Sequence, residues 1–185
     1  MKVVGFNGSS RKDGNTAIII GKVFDALNKE GIETELIQLA DYDIQPCRGC
    51  FACKGRGNCV FANDGFTEIF SRMAEADGII LGSPVYSADV SAKMKAFLER
   101  AGVVVATNPG LLRHKIGASV AAVRRGGGMT TVDTMNHFML NKEMIVVGST
   151  YGNRVYGRNI GDVLSEEEGL ANMDNRGEQM AWLSK

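Results

Sequence analysis

Four cysteines, Cys47, Cys50, Cys53 and Cys59, crowd one short segment of the chain, and a turn rich in glycine and hydroxyl groups, Gly8-Ser9-Ser10-Arg11-Lys12-Asp13-Gly14-Asn15-Thr16, follows its first apolar run. Clustered thiols can ligate metal or carry electrons. The turn can hold a phosphate, because backbone N–H groups, two serine hydroxyls, a threonine hydroxyl and an arginine converge on what reads as a helix N-terminus. The two features together point to electron transfer.

What the turn lacks narrows the phosphate. A nucleoside-triphosphate loop needs glycine-lysine followed by serine or threonine, and no such run is present. A dinucleotide fingerprint needs G-x-G-x-x-G, whereas Gly5, Gly8 and Gly14 are spaced by hydroxyl residues. Hydroxyl donors suit a terminal monoester such as the phosphate of FMN, which carries nearly two charges and three acceptor oxygens. Taken alone, the segment also reads as an ordinary polar strand-to-helix turn.

Two more loops follow apolar runs. In Gly82-Ser83-Pro84-Val85-Tyr86-Ser87, proline stiffens the backbone and Tyr86 offers a flat ring, a wall suited to a flavin; Ser87 and the N–H groups of Val85 and Tyr86 are positioned in sequence to reach the ring's polar edge or the ribityl chain. In Val123-Arg124-Arg125-Gly126-Gly127-Gly128, glycines admit close backbone approach, and amides beside Arg124 would favour the negative charge of a reduced flavin.

The elements that must position these loops alternate. A strand over Val3–Phe6 precedes a helix whose face carries Ala17, Ile20, Phe24 and Leu27 and which stops at Gly31. Strand Glu35–Leu39, helix Phe66–Ala76, strand Gly78–Gly82, a helical face of Val90, Met94, Phe97 and Ala101, strand Gly117–Val123, helix Met129–Asn141 and strand Met144–Gly148 follow. Tyr151–Ser165 reads as a long surface loop before a last helix ending near Trp182. Strict alternation predicts an α/β fold, a doubly wound five-stranded parallel sheet with helices on both faces, and ligands bound beyond the C-terminal strand ends.

Composition sets the remaining bounds. A chain of 185 residues is expected to form a single domain, 1–185, with a cysteine-rich loop at 46–60. Formal net charge is zero, which favours neither a nucleic-acid nor a membrane partner. Apolar stretches fall far below a membrane span and no signal-peptide pattern opens the chain, so a cytoplasmic protein with reduced thiols is expected. His114 and His137 pair with no nucleophile; Asp64 and Glu166 to Glu168 read as helix-start carboxylates, and the methionines as core.

The set Gly8-Ser9-Ser10-Arg11 with Gly14-Asn15-Thr16, the loop Gly82 to Tyr86, the stretch Lys95-Ala96-Phe97-Leu98-Glu99-Arg100 and the turn Arg124 to Gly128 resembles the NADPH-dependent FMN reductase family, over nearly the whole chain. The resemblance implies a flavodoxin-like fold, FMN phosphate on Ser9, Arg11, Asn15 and Thr16 with Ser10 and Gly14 in the same turn, and the ring beside Pro84, Val85, Tyr86 and Ser87. It also implies ring-edge contacts from Arg124, Gly126 and Gly127. Glu99 stands where relatives commonly have aspartate, and the last helix is expected to be slightly short. The cysteine run, Cys-x2-Cys-x2-Cys-x5-Cys, resembles the motif of iron-sulfur flavoproteins and implies a [4Fe-4S] cluster on Cys47, Cys50, Cys53 and Cys59; bare thiols bordering the flavin and the subunit interface are the other reading. Zinc sites of four cysteines usually divide into two separated pairs.

The expected activity is therefore FMN-dependent oxidoreduction, with hydride from NAD(P)H. A small acceptor such as a quinone, free flavin, metal ion or dye would follow, or a ferredoxin-like protein through the cluster, in a homodimer or homotetramer. A flavodoxin-like electron carrier is the main alternative, although carriers of that kind are strongly acidic and this chain is neutral; a cysteine-based redox sensor is the other.

Overall fold

The computed structural model describes residues Met1–Lys185 throughout. The apolar alternation of the strands explains how it is layered. In β1 (Lys2–Asn7) and β3 (Gly78–Pro84), Val4, Phe6, Ile79 and Leu81 point to one face, and Val3 and Ile80 to the other. The first set packs with Phe66 and Phe70 of α2 (Phe66–Glu75), Phe97 of α3 (Ala92–Thr107) and Met135 of α4 (Gly128–Leu140). The second packs with Ile19, Ile20 and Val23 of α1 (Asn15–Lys29) and with Met173 and Met180 of α5 (Glu167–Leu183). Strands buried on both faces read as near-continuous apolar runs, as β3 and β4 (Ile116–Val123) do.

With β2 (Glu33–Gln38), β5 (Ile145–Val146) and β6 (Arg154–Tyr156), all pairs are parallel and the order is β2-β1-β3-β4-β5. This is the flavodoxin-like order, which reverses beside β1 and opens a crevice there. The predicted helices and first four strands fall within a few residues of their positions, and α5 ends at Leu183, one residue beyond the predicted Trp182.

The fifth strand departs from expectation. Instead of a strand over Met144–Gly148, only Ile145 and Val146 pair with the start of β4; the chain leaves the sheet and returns as β6, whose Arg154, Val155 and Tyr156 pair with Ala121, Ala122 and Val123. The segment Tyr151–Ser165, read as surface loop, thus holds a strand and a 3-10 turn, Asp162–Ser165. Only Val155 of β6 is buried, so no alternation announced it. Where the ladder opens, the fully buried Arg176 donates to the carbonyl of Val147 at 2.5 Å. Burial pushes this guanidinium down to about 10.

No helix is long and apolar enough to cross a membrane. The core's centre is aromatic: Phe97 is fully buried, stacks on Phe6 with centroids 4.9 Å apart and meets Phe66 at 5.9 Å. Phe97→Ala is expected to cost about 3–5 kcal/mol, read as a lower urea midpoint with unchanged slope.

Candidate functional site

Parallel strands all end on one edge, and the loops after β1, β3 and β4 meet there. Gly8 N–H donates to Gly82 O at 2.8 Å, tying the first loop to the second. The second is tied to the third by Val85 N–H donating to Ala122 O at 3.0 Å. Between them lies a cavity of about 290 Å³ lined by Ser9, Arg11, Asn15, Thr16, Pro84, Val85, Tyr86, Ala122, Arg124, Gly157 and Arg158. Its wall carries three arginines and no carboxylate, and none of the three is ion-paired. Helix α1 begins here without a side-chain cap or an acidic residue in its first turn, so its leading amides are open to an anion. Ser9 Oγ accepts from Arg11 N at 3.0 Å, which shapes the turn and leaves the hydroxyl proton free.

Eight of the residues read from the sequence line this cavity: Ser9, Arg11, Asn15, Thr16, Pro84, Val85, Tyr86 and Arg124. Several act differently from expectation. Asn15 uses its amide on the chain's far end, donating to Asn159 O at 2.8 Å and accepting from Gly161 N at 2.9 Å, so it is engaged by a loop. The N–H groups of Val85 and Tyr86 are taken by Ala122 O and Asp89 O and are not available to a ring. Ser87 is off the wall: with Ala88 it forms the tip of a two-residue turn, both at positive φ (49° and 65°), closed by Tyr86 and Asp89. Ser10, Gly14, Gly126 and Gly127 are also off the wall. Gly127, at φ 80°, is a packing glycine, because a Cβ would stand 2.8 Å from Ala88 Cα and from Val85 Cγ1. The amides from Arg124 to Gly127 bond to no protein acceptor, though of these residues only Arg124 lines the cavity. Ala122, Gly157 and Arg158 were not foreseen; the last two arrive on the far side of β6.

The cysteines line a separate cavity of about 330 Å³, with Asp43, Gln45, Phe61, Asp64, Arg100 and Val104 among its other walls. It shares no residue with the first. Helix α3 links the two: Ser91, its N-cap, donates to Gly8 O at 2.6 Å, and Arg100 lies roughly 14 Å further along at the helical rise. All four thiols are free. Gly49 N–H donates to Cys47 Sγ at 3.4 Å, Cys53 Sγ lies 3.3 Å from Thr107 Oγ1, and Arg100 Nε donates to Cys59 Sγ at 3.2 Å. Asn108 pins the loop by donating to Cys53 O and accepting from Gly57 N, each at 3.0 Å. Arg100, only 3% exposed, also binds Asp64, Phe61 O and Gln45 O and lies over the Phe66 ring. Asp64 is at a helix start, accepting from Phe66 N at 3.2 Å, but its main partner is this arginine, which spacing alone did not show.

A family model for NADPH-dependent FMN reductases matches residues 1–155. The chain belongs to this family. It is 42% identical to an iron-sulfur flavoprotein of Methanocaldococcus jannaschii over 192 residues, covering 100% of this chain and 98% of the relative. Among solved structures it is similar to an archaeal flavodoxin (TM-score 0.66, 16% identity, 99% and 98% of the two chains) and to an apo NADH:FMN oxidoreductase (TM-score 0.71, 18% identity, 98% and 89%). These likenesses show the flavodoxin-like fold, and the family makes this protein an FMN-dependent oxidoreductase.

The first cavity of this chain carries donors that fit a flavin mononucleotide: open amides, small hydroxyls and unpaired guanidiniums, with Pro84 and Tyr86 on the same wall. The cysteine cavity brings four thiols to one wall, the donor type an iron-sulfur group would need. No three thiol, carboxylate or imidazole groups converge on a single-ion position.

Burial raises the Asp64 carboxyl, but hydrogen bonds from Arg100, Gln45 N and Phe66 N outweigh it and hold the group below its usual value. A depressed carboxylate contributes stability above its unfolded pKa of about 3.9 and loses it as pH falls through the folded value. Urea midpoints measured from pH 6 down to 2 should therefore fall below about pH 4, and less steeply in Asp64→Asn. Arg100→Met, which strands Asp64 in the wall, should cost about 3–5 kcal/mol at neutral pH.

Proposed function

We propose that this protein takes hydride from NAD(P)H onto FMN and passes the electrons either to a small acceptor, such as a quinone, free flavin, metal ion or dye, or through a [4Fe-4S] cluster to a ferredoxin-like protein. The observation that carries the reading is the first cavity. In a chain with no net charge, it gathers three unpaired arginines and an uncapped helix start next to Tyr86, which is 44% exposed. When bound, FMN would supply the chemistry, accepting an electron pair and releasing single electrons.

The chain's part is to bind and to orient. Ser9, Thr16, Arg11 and the first-turn amides of α1 would hold the phosphate, and Pro84 and Tyr86 would wall the ring. The free amides from Arg124 to Gly127 would face the negative charge that develops at the ring's polar edge, with the Arg124 guanidinium beside them. The exposed face of the ring would be left for the nucleotide, which must bring its hydride within roughly 3–3.5 Å.

The iron-sulfur reading is supported by four free thiols around one cavity and by the name of the 42%-identical relative. Exposed Phe51, Val60 and Phe61 ring the same cavity and supply apolar surface for the proposed homodimer or homotetramer.

Anaerobic stopped-flow mixing of flavin-loaded protein with NADH and with NADPH should bleach the flavin absorbance. Absence of bleaching at saturating nucleotide would leave a carrier rather than a reductase. Protein purified without air should contain iron and acid-labile sulfide in equal amounts, lost in Cys53→Ala; flavin without either would remove the cluster from the scheme.

A further inference from the structure

The loop that follows β6 is built with more care than a surface connection needs. Arg158 N and Asn159 N donate to Asp162 Oδ2 at 3.0 and 2.7 Å, and Asn159 Nδ2 reaches the same oxygen at 3.2 Å. Asn15, the first residue of α1, grips the loop from the other side at Asn159 O and Gly161 N, a contact spanning 146 positions in sequence. At Gly157 the backbone passes so close that a Cβ would stand 2.9 Å from Asn15 Nδ2 and from Val163 N. The loop is therefore fixed against the N-terminus of α1, and Gly157 N–H, donating to Val123 O at 2.8 Å, ties it to the end of β4 as well.

The residue this scaffold presents is Arg158. Its side chain lines the cavity with Ser9, Arg11 and Thr16, is exposed and makes no hydrogen bond or ion pair. The nearby carboxylate of Asp162 has an oxygen occupied by three N–H donors. Two guanidiniums, Arg11 and Arg158, thus flank an uncapped helix start, an arrangement matched to a group carrying nearly two negative charges and three acceptor oxygens. Arg158 lies beyond the residues matched by the family model, which end at 155.

We propose that Arg158 is the second guanidinium of the phosphate clamp and the residue that makes this cavity select riboflavin 5′-phosphate over riboflavin, with Asn15 and Asp162 as its positioning residues. The proposal rests on the flavin reading above and adds to it the source of discrimination. An arginine forks onto two phosphate oxygens, whereas the terminal hydroxyl of riboflavin offers neither the charge nor the paired acceptors.

The test is titration of flavin-free full-length protein with FMN and with riboflavin, followed by quenching of flavin fluorescence. Arg158→Gln should weaken FMN by about tenfold to a hundredfold, the range of a charged hydrogen bond, and leave riboflavin unchanged; Arg158→Lys should recover part of the loss. Asp162→Asn should fall between Arg158→Gln and the parent, again for FMN alone, with circular dichroism confirming the fold. The parent's FMN affinity should also drop more steeply with added salt than that of Arg158→Gln. Equal weakening of both flavins in Arg158→Gln would overturn the proposal, as would unchanged FMN affinity, including the case in which the KM for NADPH rises instead. A parent protein that binds neither flavin would bring down the flavin reading itself, whereas one that binds FMN well while Arg158→Gln matches it would sink only the clamp.

Discussion

Gly8 N–H donating to Gly82 O, at the end of the β1–β3 ladder, is the bond on which the site is assembled. Parallel strands related by right-handed crossovers must all end on the same edge, so the loops after β1, β3 and β4 are delivered together whatever their sequences are. Beyond the last ladder bond their amides have no strand partner. Those left open, at the start of α1 and from Arg124 to Gly127, make an electropositive rim that three unpaired arginines reinforce. A parallel sheet buried on both faces admits little else along its length, and its chemistry is confined to that rim.

Helix α3 connects this edge to the cysteines. Ser91 at its start donates to Gly8 O, accepts from Met94 N and receives, through its own N–H, the hydroxyl of Ser83 as acceptor, which fastens β1 and β3 to the helix. Further along, Arg100, Thr107 and Asn108 hold the cysteine loop by side-chain bonds. The buried Arg100 guanidinium is tolerable because carbonyls, a thiol and a carboxylate take up its donors. One rigid element thus sets the placement of both cavities, and a shift of α3 would be felt in each.

The sequence was most legible where local chemistry and local geometry coincide. The phosphate turn runs over consecutive residues, and Ser9, Arg11 and Thr16 stand on the cavity as read. Helices α1 and α3 showed their apolar faces, and strands β1, β3 and β4 their apolar runs, because buried area is written in periodic positions. Side chains whose partners lie far away in sequence were less legible. Asn15 looked like a phosphate ligand, yet it bonds residues 144 and 146 positions away. Ser87 looked like a ring contact, yet a two-residue turn closed by Tyr86 and Asp89 carries it off the wall. The amides of Val85 and Tyr86 looked free, yet neighbouring carbonyls occupy them.

Residue order alone therefore specified the doubly wound sheet, the edge that carries the loops and the chemical type of both donor sets, since these follow from hydrophobic period, glycine placement and cysteine spacing. Folding in three dimensions decided the split fifth strand, the arrival of Arg158 beside the first turn of α1, and the pairing of Arg100 with Asp64 and Cys59. Each of these joins segments with no local pattern in common. Hydrogen bonds and ion pairs reward proximity in space, which a chain acquires only after its core has closed.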